Sequence, residues 1–197
     1  MTTPPYTLSF TTGAALLSET LLLADLYNKE KDWDQVRTEV LATNLLQART
    51  ESTLKKLYRE ISSRLKTLSD EEISLSAHIT EQEQKQLIWL SICRRHKLIA
   101  NFAVEVLSHN YSKSQYLLSH DDYDVFYHQK AEWHGNLDEA SSTTKSKARQ
   151  VVFKMLRECG LINEQSEIMA QRLNPQLHDY LKEKQPTDLR VFPGVDY

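Results

Sequence analysis

Apolar residues recur along most of this chain at helical spacing. The clearest run is Ser52 to Leu68, where Leu54, Leu57, Tyr58, Ile61, Leu65 and Leu68 fall at i, i+3, i+4, i+7, i+11 and i+14 and line one face of a helix. An earlier helix is predicted from about Thr12 to Asn28, with Thr11 or Thr12 as cap. A second starts after Asp32 and puts Trp33, Val36, Val40 and Leu41 on one side, with Leu45, Leu46 and Ala48 as a continuation. A short one follows near Asp70. Glu81 to Cys93 is opened by Thr80 with Glu83 three residues on, a capping-box pattern, and its periodicity allows it to run through Leu98 to Val106. After a polar, Tyr-rich stretch from Asn110 to Asp124, helices are predicted over Tyr123 to His134, Ser146 to Cys159 and Gln165 to Leu173. A last short helix follows Asn174-Pro175, ahead of a Pro-containing tail.

Proline and glycine placement supports an all-α chain. The prolines are Pro4, Pro5, Pro175, Pro186 and Pro193, so none lies between Tyr6 and Asn174, and the only glycines are Gly13, Gly135, Gly160 and Gly194. These residues punctuate backbone structure most strongly. Strict two-residue alternation with turn dipeptides is absent, so strands are not indicated. The fold expected is all-α, a compact multi-helix globule with two helix-turn-helix-like elements. The weakest point along it is Ser108 to Asp121. Dividing there gives an N-terminal lobe (1–108) and a C-terminal lobe (109–197), each with one such element; one continuous domain is the other arrangement the pattern allows.

Composition narrows the function. With 197 residues, 40% hydrophobic and 26% charged, the chain has enough apolar material for a packed core. A net charge of −3 rules out a chain basic throughout but not a basic face. Cys93 and Cys159 are too few and too far apart for a disulfide framework or a zinc site, and a reduced, cytoplasmic setting is expected. Met1 to Phe10 lacks a basic n-region and a cleavage site. Ser18, Glu19, Thr20 and Asp25 interrupt the apolar stretch Ala14 to Leu26, so no membrane span is expected.

Two segments carry the candidate chemistry. In Ser141 to Ile162, small hydroxyl residues open a helix, basic residues follow, Ala148, Val152, Met155 and Leu156 form the buried stripe, and Gly160 is placed to end the helix in the left-handed conformation. Recognition helices of helix-turn-helix and winged-helix domains are commonly laid out this way. Lys145, Lys147, Arg149, Lys154 and Arg157 face one negative residue, Glu158. The second segment, Arg49 to Leu65, echoes the first: Thr53 with Thr144, Lys56 with Lys147, Leu57 with Ala148, Ile61 with Val152, Leu65 with Leu156. Its cations are Arg49, Lys55, Lys56, Arg59, Arg64 and Lys66, against Glu51 and Glu60. Binary patterning and capping alone account for one such helix with a solvated face; the repetition is what points to nucleic acid.

Other chemistry finds no support. His78, His96, His109, His120, His128, His134 and His178 form no metal-ligand spacing, and His120-Asp121-Asp122 reads as a surface loop. No phosphate-cradling glycine loop and no nucleophile elbow occurs. The carboxylates of Asp70-Glu71-Glu72 and Glu81 to Glu83 suit helix starts. Trp33, Trp89 and Trp133 read as core or lobe-contact anchors. No catalytic residue, cofactor or metal is expected.

Several blocks together resemble a known family. Tyr6 to Gly13 with Leu21 to Tyr27, Asn44 to Thr50 with Ser52-Thr53, Gln86 to Arg94, and Arg149 to Glu158 with Gly160-Leu161 are similar to the BrxA proteins of bacterial BREX phage-defence systems. The resemblance spans about Tyr6 to Leu161. It implies a small, non-enzymatic, all-helical component, NusB-like in part, with helix-turn-helix-like parts that contact double-stranded DNA and with partners among other BREX proteins. It brings no residue-level motif, so the contact residues rest on the pattern: Arg49, Thr53, Lys55, Lys56 and Arg59, then Thr144, Lys145, Lys147, Arg149 and Lys154. Cations outnumber adenine-reading Asn and Gln there, so contact mainly to phosphates is expected, by a monomer. The alternatives are a protein-interaction adaptor for other defence subunits and an RNA-binding protein of NusB-like type.

Overall fold

The computed structural model describes residues 6–196; Pro4 and Pro5 lie outside that range. The helices are α1 (Leu17–Glu30), α2 (Trp33–Thr43), α3 (Glu51–Leu65), α4 (Asp70–Leu75), α5 (Glu81–Arg95), α6 (Lys97–Phe102), α7 (His109–Ser112), α8 (His120–Ala131), α9 (Gly135–Asp138), α10 (Ser142–Glu158) and α11 (Pro175–Lys184). One apolar cluster runs from Tyr6 to Phe192 and includes Leu54, Ile61, Trp89, Phe102, Phe126, Val152 and Leu156. The all-α expectation holds.

Helix starts follow side-chain chemistry. The Thr80–Glu83 capping box forms in both directions, with Glu83 Oε2 taking the Thr80 N–H at 2.8 Å and Thr80 Oγ1 taking the Glu83 N–H at 3.4 Å. Ser119 and Asp122 form another. His120-Asp121-Asp122, expected in a loop, therefore opens α8, where carboxylates suit the positive end of the helix dipole. Asn174 caps α11, whose first residue is Pro175, a position that needs no N–H. Gly160 takes a φ of 73° after α10 and turns Leu161 and Ile162 into the core.

Three expectations are corrected. First, α1 starts at Leu17 rather than Thr12. Ser9–Thr12 forms a separate 3-10 turn, and the buried Arg64 claims the carbonyls of Ala14 and Ala15 through Nη1 at 3.0 and 3.1 Å. Those carbonyls are held by a side chain, and Leu16 turns left-handed, φ 57°, before the helix begins. Second, α5 does not run on unbroken. His96 takes an extended conformation, φ −118° and ψ 90°, because its ring is turned inward to Glu60, with Nε2 2.9 Å from Oε1. The chain resumes as α6, widens into a π segment over Ala103–Ser108 and tightens into α7. Third, Gln165 to Leu173 is not helical. The Asn163 side chain accepts the N–H groups of Gln165 and Glu167 at 3.0 and 2.8 Å, an Asx turn that competes with helix formation. Ser166 then adopts φ 61°. The following residues lie extended between two neighbours. Ile168 N–H donates to Tyr116 O at 2.7 Å, and Asn163 N–H to Glu167 O at 3.0 Å. Among the described residues these make isolated bridges, Leu117 with Glu167 and Ile162 with Ile168, rather than a sheet.

The expected tail is also structured. Pro186–Val191 forms a 3-10 turn on α5. Trp89 Nε1 donates to Val191 O at 3.0 Å. Arg94 binds Glu72 through both Nη atoms at 2.7 Å and Asp188 through Nε at 2.7 Å. A two-pronged guanidinium contact of this kind fixes geometry as well as charge, and it ties α4, α5 and the C-terminal turn together.

Candidate nucleic-acid interface

The two echoing segments open alike. Thr50 Oγ1 accepts the Thr53 N–H at 3.2 Å, and Ser141 Oγ accepts the Thr144 N–H at 3.2 Å. In each, the two hydroxyls of the cap pair at 2.9 Å. Thr53 and Thr144 therefore act first as parts of caps. Downstream, Ile61 and Val152 are buried at matching positions, as are Leu65 and Leu156.

The exposed faces differ. On α3, Lys55, Lys56 and Arg59 are exposed, opposite the stripe of Leu54, Tyr58, Ile61 and Leu65. Tyr58 Oη donates to Trp33 O at 3.0 Å and sets α3 against the start of α2. Between the helices runs an open groove of about 580 Å³, lined by Arg37 and Leu41 of α2 and by Glu51, Ser52, Lys55, Lys56 and Arg59 of α3. Four cations there meet one carboxylate. Lys55 forms an ion pair with Glu51, and the hydrogen bond and charge of Lys55 hold the Glu51 carboxyl below its usual range. Arg49 is exposed in the bend before α3 and is not part of the groove lining.

On α10 most of the predicted cations are engaged internally. Lys145 Nζ donates to Asp138 O at 2.9 Å and lies over the Tyr127 ring. Arg149 pairs with Asp124. Lys154 is exposed, 3.6 Å from Glu158 Oε1. Lys147 is exposed and lines a shallow depression of about 460 Å³ with Ser142, Thr143, Ser146 and Gln150. The spacing held a signal for the folding back of Lys145 and Arg149 that the charge count passed over. Lys145 stands three and seven residues before Ala148 and Val152, and Arg149 stands three and seven before Val152 and Leu156, which places both beside the apolar stripe.

Sequence reasoning missed Arg37 and overcounted Arg64. Arg37 lies one turn before Leu41, which shows that this side of α2 faces α3. Arg64, counted with the basic face, is fully buried. Its Nε donates to Glu60 Oε1 at 2.9 Å, and burial pulls its pKa down despite that partner. Burial likewise lowers His96, against the pull of Glu60. Burial alone would raise the Glu60 carboxyl, but the hydrogen bond from His96 and the charge of Arg64 bring it below its usual value. Trp133, expected as an anchor, is 84% exposed, whereas Trp89 is fully buried. Both cysteines are free and buried, and burial pushes both thiols up. Among the described residues no cluster of three potential metal ligands occurs, and no helix is long and apolar enough to cross a membrane.

The same architecture occurs elsewhere. A crystal structure of an uncharacterized protein from Magnetospirillum magneticum matches with a TM-score of 0.83 over 96% of this chain and 99% of that one, at 20% identity. In sequence, the BREX protein BrxA of Bacillus cereus (strain H3081.97) is 25% identical over 160 residues, 80% of each chain. The BREX protein BrxA of Escherichia coli O9:H4 (strain HS) is 24% identical over 152 residues, 77% of this chain and 71% of that one. The BrxA family model matches residues 4–185, nearly the whole length, and the chain belongs to the BrxA family.

Proposed function

We propose that the chain serves a BREX phage-defence system in the cytoplasm as a non-enzymatic, monomeric component that binds duplex DNA mainly through phosphates. The observation that carries this reading is the α2–α3 groove, where Arg37, Lys55, Lys56 and Arg59 meet a single carboxylate. Exposed guanidinium and ammonium groups along a groove between two helices suit the closely spaced charges of a nucleic-acid backbone. The α10 face has a different character. Ser142, Thr143, Ser146, Lys147 and Gln150 offer hydroxyls, one carboxamide and one cation. Such groups read base edges, a carboxamide pairing with adenine and hydroxyls accepting either partner. In this reading α3 and α10 are the second helices of two helix-turn-helix-like elements.

Charge reversal in the groove tests it. Lys56→Glu with Arg59→Glu should leave the fold intact, because both side chains are exposed. It should weaken binding to every duplex sequence alike and make the slope of log K against log salt shallower by about 2, one unit per lost phosphate contact. Unchanged affinity would remove the groove from the interface. Competition with structured RNA decides between duplex DNA and RNA.

A second reading, an adaptor for other BREX proteins, is favoured by exposed apolar residues: Trp133 at 84%, Leu117 at 69% and Val125 at 57%. Retention of a BREX partner after nuclease treatment would support it.

A further inference from the structure

Helix α8 is covered on one side only. It buries Tyr123, Phe126, Tyr127 and Ala131 and packs on α9, α10 and the π segment. Asp121, Val125, His128, Gln129 and Glu132 are exposed, and helical spacing gathers them within about 100° of one another on the opposite side. Trp133, in the turn that ends the helix, borders them. Val125 is 57% exposed and Trp133 84%. Tryptophans are enriched where a partner covers them, and the eight residues from Val125 to Trp133 span about 12 Å at helical rise.

The charge around this face is mostly of one sign. His120 to Ala140 holds six carboxylates, Asp121, Asp122, Asp124, Glu132, Asp138 and Glu139, and one lysine. That lysine, Lys130, is taken by Glu105 outside the segment. Helix α10 supplies two cations: Arg149 pairs with Asp124, and Lys145 donates to the Asp138 carbonyl. Asp122 completes the cap of α8. Asp121, Glu132 and Glu139 are exposed and have no ion-pair partner among the described residues. Such a rim repels nucleic acid and anionic lipid. It suits a protein segment with lysine or arginine beside apolar residues. The span from Val125 to Trp133 matches two turns of a helix, whose apolar residues at i, i+3 or i+4, and i+7 cover about 10.5 Å.

We infer that the Val125–Trp133 face of α8 docks a basic amphipathic helix of another protein. Val125 and the indole meet its apolar stripe, and Asp121 and Glu132 meet its cations. This rests on the adaptor reading above and gives that partner its chemistry. The face shares no residue with the α2–α3 groove.

Two variants of the full chain test it, Trp133→Ala with Val125→Ser, and Asp121→Lys with Glu132→Lys. All four positions are exposed, so both should fold, which circular dichroism checks. The first probe is a labelled peptide of about 18 residues with leucine and lysine at helical spacing, long enough to form a helix on binding, followed by anisotropy. It should bind the wild type, and each variant should weaken binding at least about tenfold. A leucine–glutamate peptide of the same length should bind at least about tenfold more weakly than the lysine one. Equal binding of the two peptides, or unchanged affinity in either variant, overturns the inference. The second probe is co-purification, after nuclease treatment, with the other proteins of its BREX system. Retention by the wild type and loss in both variants supports the inference. Retention by wild type and variants alike overturns it and leaves the adaptor reading standing. No retention by the wild type overturns both. Sedimentation of the chain alone covers the other occupant: self-association abolished by Trp133→Ala with Val125→Ser would give the face to a second copy and overturn the inference.

Discussion

Arg64 offers the sharpest test of how the fold is held together. It is fully buried on α3 and has two kinds of partner, the Glu60 carboxylate at 2.9 Å and the carbonyls of Ala14 and Ala15 at 3.0 and 3.1 Å. Arg64→Met keeps an unbranched apolar stem of similar reach and removes the guanidinium. Glu60 then keeps only His96, and two carbonyls lose their donor. Removing one partner of a buried ion pair costs about 3–5 kcal/mol. The orphaned carbonyls act in the same direction, at about 1 kcal/mol or more each if water does not reach them. A destabilisation of roughly 3–7 kcal/mol follows, the upper part of the range holding if water does not reach the carbonyls, equivalent to at least about 6 °C in Tm for a chain of this size. Urea denaturation followed by circular dichroism measures it. As control, Arg59→Met on the exposed face of the same helix should stay within about 0.5 kcal/mol of wild type. If Arg64→Met lost less than about 1 kcal/mol, the contacts of Arg64 with Glu60 and the Ala14 and Ala15 carbonyls would not hold the fold together in this way.

Two further predictions concern His96 and the tryptophans. His96 is buried neutral with its pKa lowered, so the unfolded chain binds the extra proton first; stability is full above the unfolded value of about 6.5 and declines as pH falls below it. Glu60, lowered in the fold, adds a loss in the same direction further into acid, so urea midpoints should fall from pH 7 to pH 5, and by less in His96→Gln. Separately, acrylamide should quench mainly Trp133, so Trp133→Phe should remove most of the quenchable emission while the signal of the buried Trp89 persists.

Local patterns were legible because their causes are local. The stripe of α3, the Thr80 and Asn174 caps and the turn at Gly160 all follow from residues within a few positions of one another. The echo between Arg49–Leu65 and the α10 segment was legible too, as the pairing of Thr53 with Thr144, although the caps themselves are Thr50 and Ser141. What the pattern did not reveal depends on contacts distant in sequence. Arg64 and Arg59 both lie outside the apolar stripe on a helical wheel that lacks the segment around Ala14. Arg64 lies on the flank of the stripe, about 90° from its centre, and is covered only because residues 14 and 15 arrive there. The same remoteness hides the break at His96, which exists to meet Glu60 thirty-six residues away. Gln165 to Leu173 failed for a local reason, the Asx turn of Asn163, whose signal was overlooked. At the candidate interface, formal charge overstated α10, since Lys145 and Arg149 are turned to Asp138 and Asp124. The groove beside α3 became visible only once α2 brought Arg37 alongside.

Salt dependence tests most directly the proposal that the α2–α3 groove meets DNA phosphates. Fluorescence anisotropy of a labelled duplex, titrated with the full chain over a range of salt concentrations, gives log K against log salt. With Arg37, Lys55, Lys56 and Arg59 each neutralising about one phosphate, the slope should be about −3.6, and steeper if α10 adds Lys147. A slope near zero, or no binding at low salt, would contradict the account.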